Sequence, residues 1–195
     1  NAPHFGKGWS PKDQEPVNIM QPRGDDLKRV SFIKDKVRRE FAAMTVALDD
    51  GIGRVMSTLK NNGLDENTVV IFMTDHGGDY VYGGSNQPFR GGKATLFEGG
   101  IRVPFIMRWP GKIPAGTVCD TPAMNIDLLP TIAHLIGAKL PGHKIDGMNV
   151  WPLIAGEKGA RNPNEGYWYY YKQNELHAVA MGKWKLYFPH KYRSL

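Results

Sequence analysis

The sequence predicts an α/β fold, a mostly parallel sheet flanked by helices, with a small antiparallel sheet at its C-terminal end. Three observations predict it. Apolar residues recur at steps of three and four up to residue 62, give way to the unbroken apolar run 68–74, and are followed late in the chain by short aromatic-rich segments. A helix leading straight into a buried strand indicates an α/β crossover. A strand without polar alternation suits a sheet covered on both faces.

Taken in order, residues 1–26 carry Pro3, Pro11, Pro16 and Pro22 among glycines and charges. They are expected to form a surface loop, because proline lacks the amide that helices and inner strands require. From 26 to 62, Val30, Ile33, Val37, Phe41, Met44, Leu48, Ile52, Val55 and Leu59 mark one face of a long amphipathic helix, straight or kinked, capped by Asn61-Asn62-Gly63. The run 68–74 is the buried strand. Residues 75–102 hold eight glycines and read as a long irregular loop, a kind of segment that is usually functional in compact domains. A short strand at 103–109 and a Pro/Gly turn lead to a helix over 128–136, N-capped by Asp127, with Pro130 in its first turn and Gly137 at its end. The Pro/Gly-rich stretch 141–163 precedes three short strands, 167–171, 177–181 and 184–188, the last two joined by the tight turn Gly182-Lys183. There is no internal repeat.

At 195 residues, 41% apolar and 23% charged, the chain can bury a core, which excludes disorder along its whole length. The net charge of +6 favours anionic ligands without pointing to nucleic acid. The densest basic stretch, 28–39, is interrupted by Val30, Phe32, Ile33, Asp35 and Val37, and reads as the solvated face of the helix. No apolar run reaches the roughly 20 residues of a membrane span. Cys119 is the only cysteine, so an internal disulfide is excluded. The chain opens at Asn1 without a methionine and reads as the middle of a longer polypeptide.

Chemistry is expected in two places. Asp75 and His76 follow the buried strand directly, and in open α/β sheets ligands bind beyond the carboxyl ends of strands. A carboxylate beside an imidazole suits a metal ion, or a base with its orienting group; a turn-capping Asp beside a packing His is the plainer alternative. The segment 88–104 then sets Arg90, Lys93, Glu98 and Arg102 among paired glycines, which let the backbone approach a ligand closely or take positive φ. A lysine point charge placed there suits an oxyanion such as sulfate or phosphate. The Gly-x-x-x-x-Gly-Lys-Ser/Thr pattern of a P-loop is absent. Glu98 and Arg102 are expected in structural ion pairs.

Together these residues resemble the C-terminal signatures of the arylsulfatase family, type I sulfatases of the alkaline phosphatase superfamily. Thr74-Asp-His-Gly77, Phe89-Arg-Gly-Gly-Lys93 and Phe97-Glu-Gly-Gly-Ile-Arg-Val-Pro104 carry the resemblance. Leu48-Asp-Asp-Gly-Ile-Gly-Arg54, Gly63-Leu-Asp-Glu-Asn-Thr68, Asp127-Leu-Leu-Pro-Thr131 and Gly182-Lys-Trp-Lys-Leu-Tyr187 extend it in family order over nearly the whole chain. The resemblance implies part of an alkaline phosphatase-like sandwich, residues 1–163 forming the C-terminal portion of its α/β domain and 164–195 beginning a small antiparallel subdomain. It implies that Asp75 ligates Ca2+ with His76 at the same metal, and that Lys93 binds a sulfate oxygen. It implies further that His4, in Ala2-Pro-His-Phe5, contacts the sulfate ester and protonates the leaving group. Calcium prefers oxygen ligands, so an imidazole at 76 is an unusual partner for it.

The resemblance also implies what lies elsewhere. Family members attack sulfur with the hydrate of formylglycine, made from the Cys or Ser of Cys/Ser-x-Pro-x-Arg. Cys119 opens Cys-Asp-Thr-Pro122, and no serine of the chain fits the motif either. Formylglycine and further aspartate ligands are therefore expected on the N-terminal half of the sulfatase, the partner this chain needs, with export to the periplasm or beyond as the family habit. The activity implied is hydrolysis of aryl or carbohydrate sulfate esters by the complete enzyme, the chain alone being inactive. A phosphatase or phosphonate hydrolase of the same superfamily, and a non-catalytic binding module reusing the fold, are the alternatives.

Overall fold

The computed structural model describes residues 20–171 and 174–190, together with the backbone of two short strands ahead of them. The chain divides into two compact units. The first takes in the residues up to Asp65 and the segment Met73–Pro104; the second takes in Glu66–Phe72 and the chain from Phe105 on.

In the first unit, β1 (Lys7–Trp9) pairs antiparallel with β2 (Pro16–Asn18), Lys7 opposite Asn18 and Trp9 opposite Pro16. The loop expected over 1–26 therefore contains a short ribbon. Pro16 stands at the first residue of its strand, one of the few places where a sheet tolerates a missing amide. The single helix expected over 26–62 is two, α1 (Gly24–Arg29) and α2 (Lys36–Asn61). Asp35 N-caps α2 by accepting from the Arg38 amide at 2.7 Å, and the Arg39 guanidinium donates to the carbonyls of Ile33 and Lys34 that the break sets free. Val30 is buried in the connecting turn, so the apolar spacing runs on through the interruption. Arg23 and Arg29 join the buried Asp26 of α1 to Asp50 of α2, the Arg29–Asp50 pair at 2.6 Å. Gly63 closes α2 at φ +65°: its amide returns to the Lys60 carbonyl at 3.0 Å, and that of Leu64 to Leu59 at 2.9 Å. That is the Schellman arrangement expected of a glycine at this place. The segment 75–102 holds a 3-10 turn, Tyr80–Tyr82, and the one-turn helix α3 (Glu98–Ile101).

The second unit is built from two small sheets and a helix. β3 (Val70–Met73) pairs with β4 (Phe105–Arg108). Every residue of β3 is half-buried rather than covered on both faces, and Ile106 of β4 is 61% exposed. α4 runs Leu128–Ile136, as the spacing predicts, and Gly137 at φ +65° ends it while the Ala138 amide returns to the Ala133 carbonyl. Asp127 does not cap it. Asp127 lies in helical backbone at the end of a 3-10 turn, and its carboxylate accepts instead from the amides of Met124 and Met148, both at 2.8 Å. After the short helix α5 (Trp151–Ile154), strands β5 (Tyr167–Tyr171), β6 (Glu175–Met181) and β7 (Trp184–Tyr187) form an antiparallel sheet in that order. β6 starts two residues earlier than expected. Gly182 at φ +56° makes the tight turn from Met181 to Trp184. Among the described residues, no helix is long and apolar enough to cross a membrane.

Candidate anion and metal site

Asp75 and His76 lie in the bend that follows β3, and backbone contacts of the next residues hold that bend to the glycine-flanked loop. The Gly77 amide donates to the Gly100 carbonyl at 2.9 Å, and a side chain at Gly77 would have its Cβ 1.7 Å from the Gly99 oxygen. Only glycine permits so close an approach of two backbones. Gly99 and Gly100 are constrained in the same way, since a Cβ on either would stand about 2 Å from a carbonyl oxygen of Gly91 or Thr95 respectively. Paired glycines are thus the contact surfaces of this segment.

Lys93 is delivered by the same frame. Its amide donates to the Gly78 carbonyl at 3.2 Å, which places it beside the bend that carries Asp75 and His76. It stands at the crest of a tight turn, between Gly91 at φ +79° and Ala94 at φ +66°, closed by the amide and hydroxyl of Thr95 on the Gly92 carbonyl. A non-glycine residue in left-handed backbone costs roughly 1 kcal/mol or more, and Ala94 is such a residue one step after the lysine. Asn86 clamps the other side of the joint: its carboxamide accepts from the Gly78 amide at 2.7 Å and donates to the Gly78 carbonyl at 2.8 Å. The Arg90 guanidinium stacks on Phe97 and that of Arg102 on Phe89, centroids 4.1 and 4.7 Å away, so both arginines contribute to packing. For Arg102 the expected role was an ion pair; an aromatic face is the partner seen.

The donors of the site face outward. The Asp75 side chain is 84% exposed and that of His76 39%. One carboxylate oxygen of Asp75 accepts from the His76 amide at 3.0 Å, and the other stands 3.3 Å from His76 Nε2. His76 Nδ1 lies 2.8 Å from the Gly77 carbonyl, an acceptor only, so Nδ1 carries the ring proton. When the imidazole is neutral, its Nε2 lone pair and the neighbouring carboxylate oxygen are two acceptors close enough for one cation to bridge them from the side. The pair fits one edge of a coordination shell. It is not a whole one, because calcium takes six to eight oxygens, and the described residues hold no group of three or more His, Cys, Asp or Glu able to bind a metal. His4 lies outside the described residues. Asp75, His76 and Lys93 are therefore brought to one joint, and the residues that sequence reasoning passed over there are Asn86 and Tyr80. Both stand near glycine pairs, the one signal that could have singled them out.

Comparison with known proteins bears on the family of the chain. A family described as Sulfatase matches residues 1–138. Rat steryl-sulfatase is 39% identical over 188 residues, covering 92% of this chain and 31% of its own. Mouse N-acetylgalactosamine-6-sulfatase is 36% identical over 159 residues, covering 79% of this chain and 30% of its own. The crystal structure of Ps i-CgsB in complex with k-i-k-neocarrahexaose superposes with a TM-score of 0.77 at 34% identity, over 88% of this chain and 39% of that one. The chain spans about a third of the length of the curated relatives it matches.

Proposed function

The chain belongs to the sulfatase family, with its alkaline phosphatase-like fold, and from that premise we propose that it supplies the C-terminal share of an active site hydrolysing sulfate esters. The observation that carries the reading is the joint at Gly78, whose carbonyl accepts from the Lys93 amide while Asp75 and His76 stand just ahead of it in the chain. Lys93 receives a sulfate oxygen as a point charge, neutralising the negative charge that develops as the ester bond breaks. Asp75 and His76 are the residues that would hold Ca2+, whose chemistry when bound is Lewis-acid polarisation of the sulfate. His4 is assigned to protonating the departing alcohol or phenol, by resemblance alone. Cys/Ser-x-Pro-x-Arg does not occur in these 195 residues, so the formylglycine nucleophile belongs to the longer polypeptide. Residues 164–195, which include β5, β6 and β7, are assigned to the start of the small antiparallel subdomain.

The relatives are named steryl-sulfatase, N-acetylgalactosamine-6-sulfatase and arylsulfatase, so the substrate class proposed is an aryl or carbohydrate sulfate ester. Turnover of 4-nitrophenyl sulfate against 4-nitrophenyl phosphate by the full polypeptide tests the reading. Preference for the sulfate is expected, and preference for the phosphate would assign the site to the related phosphatases.

A further inference from the structure

Tyr80 opens the 3-10 turn that leaves the Asp75–Gly78 bend, and folds back over the lysine loop. Its hydroxyl donates to the Gly91 carbonyl at 2.5 Å, and Cε2 of its ring would lie 3.1 Å from a Cβ at Gly92, inside ordinary contact distance. Gly91 and Gly92 are the two residues before Lys93, and Gly91 is one of the two positive-φ positions that shape the turn. The turn carrying Tyr80 is itself anchored on α2: a Cβ at Gly83, φ +84°, would meet the Arg38 backbone at 3.1 Å, and the Gly84 amide donates to the Asp79 carbonyl. Yet the residue keeps 53% of its surface in solvent. An aromatic side chain tied down at its hydroxyl and left open along its ring has one edge committed to structure and a face still available.

We propose that Tyr80 is a positioning and specificity-determining residue of this site. Its hydroxyl fixes the Gly91 carbonyl, and with it the turn that aims Lys93; its exposed ring forms the wall against which the organic group of the ester lies. The inference rests on the assignment of Lys93 to the anion and adds the residue that reads the rest of the substrate.

Two probes separate these roles: inorganic sulfate, which has no organic group, and benzenesulfonate, whose carbon–sulfur bond is not hydrolysed. Calorimetric dissociation constants are measured on the full polypeptide and its variants. Tyr80→Phe keeps the ring and loses one hydrogen bond, and is expected to weaken both probes by a similar factor of about 2 to 10. Tyr80→Ala removes the wall as well, and is expected to weaken benzenesulfonate about 3 to 10 times more than sulfate. In the unmodified protein, nuclear Overhauser contacts between benzenesulfonate and Tyr80 ring protons are expected, a readout independent of any variant's folding. Lys93→Ala reports on the underlying assignment and is expected to weaken both probes strongly. If Lys93→Ala does so while Tyr80→Phe and Tyr80→Ala bind both probes normally and no contact to the ring is seen, the role of Tyr80 is wrong and the site stands. If Lys93→Ala binds both probes normally, the site assignment fails and the role of Tyr80 fails with it.

Discussion

The loop around Lys93 and the turn around Asp127 are both crowded with polar groups, and they use their charged side chains differently. Around Lys93 the backbone bonds to itself, Gly77 to Gly100, Lys93 to Gly78, Gly99 to Arg90 and Arg102 to Glu98, with uncharged side chains of Asn86, Thr95 and Tyr80 as clamps. Glycines bring the strands of that loop close enough to do so, and the side chains of Asp75 and Lys93 are left exposed. Around Asp127 side chains do the joining. The buried carboxylate accepts from the Met124 and Met148 amides and from the Asn164 carboxamide; Thr131 donates to the Asp127 carbonyl and accepts from the Val150 amide. Tyr167 donates to the Pro122 carbonyl at 2.6 Å and accepts from Asn162 at 2.7 Å. The difference gives a rule for finding function here. A buried acidic residue consumed by the backbone around it is structural, however conspicuous its burial, whereas a charged residue left exposed on a backbone joint is available for a ligand.

If that contrast holds, substitutions should split the same way. Asp127→Ala leaves two part-buried amides and a carboxamide without their buried acceptor and is expected to cost about 2–4 kcal/mol, read as a fall in the denaturation midpoint. Gly77→Ala drives a methyl group into the Gly99 carbonyl, backbone against backbone, and is expected to cost about 3 kcal/mol by the same measurement. Ala94→Gly relieves left-handed strain and is expected to stabilise by about 0.5–1 kcal/mol, which would show the turn to be under tension. Asp75→Ala is expected to change stability by less than about 0.5 kcal/mol, in contrast to its acidic counterpart at 127. The smallest effect concerns pH. Hydrogen bonding and charge from Arg29, with further charge from Arg23 and Arg54, hold the exposed Asp50 carboxyl below the usual carboxylate range. A depressed pKa in the folded state gives stability that is present above the unfolded pKa of about 4 and lost as pH falls through the folded value. Acid titration of Asp50→Asn should therefore lack a small component below about pH 4 that the unmodified chain shows.

Much of this was legible from residue order. α4 and its glycine stop follow from the apolar spacing, Pro130 and Gly137, and the β6–β7 turn follows from Gly182-Lys183 between apolar runs. Local chemistry decides those elements, so sequence suffices. The break at 30–35 was hidden because periodicity reports which residues turn inward and not whether the backbone between them stays helical; the one local sign was Asp35, an N-cap residue inside an apparently continuous helix. At the site, the identities of Asp75, His76 and Lys93 and the need for paired glycines were readable. Which glycine meets which carbonyl, the Asn86 clamp on Gly78 and the fold-back of Tyr80 depend on contacts between residues five or more apart, for which a single sequence carries no spacing rule. Asp127 shows the opposite error, an expected helix cap that tertiary contacts turned to another use.

In the proposed site a cation at Asp75 and an ammonium at Lys93 grip one sulfate from two sides, which couples the two ligands. Its most direct test is the affinity of the full polypeptide for inorganic sulfate with and without Ca2+, repeated on Asp75→Ala. Because coupling between binding sites is reciprocal, Ca2+ should tighten sulfate binding in the unmodified protein, and Asp75→Ala should abolish that gain without altering stability. Sulfate binding indifferent to Ca2+, or a Ca2+ effect that survives Asp75→Ala, would contradict it.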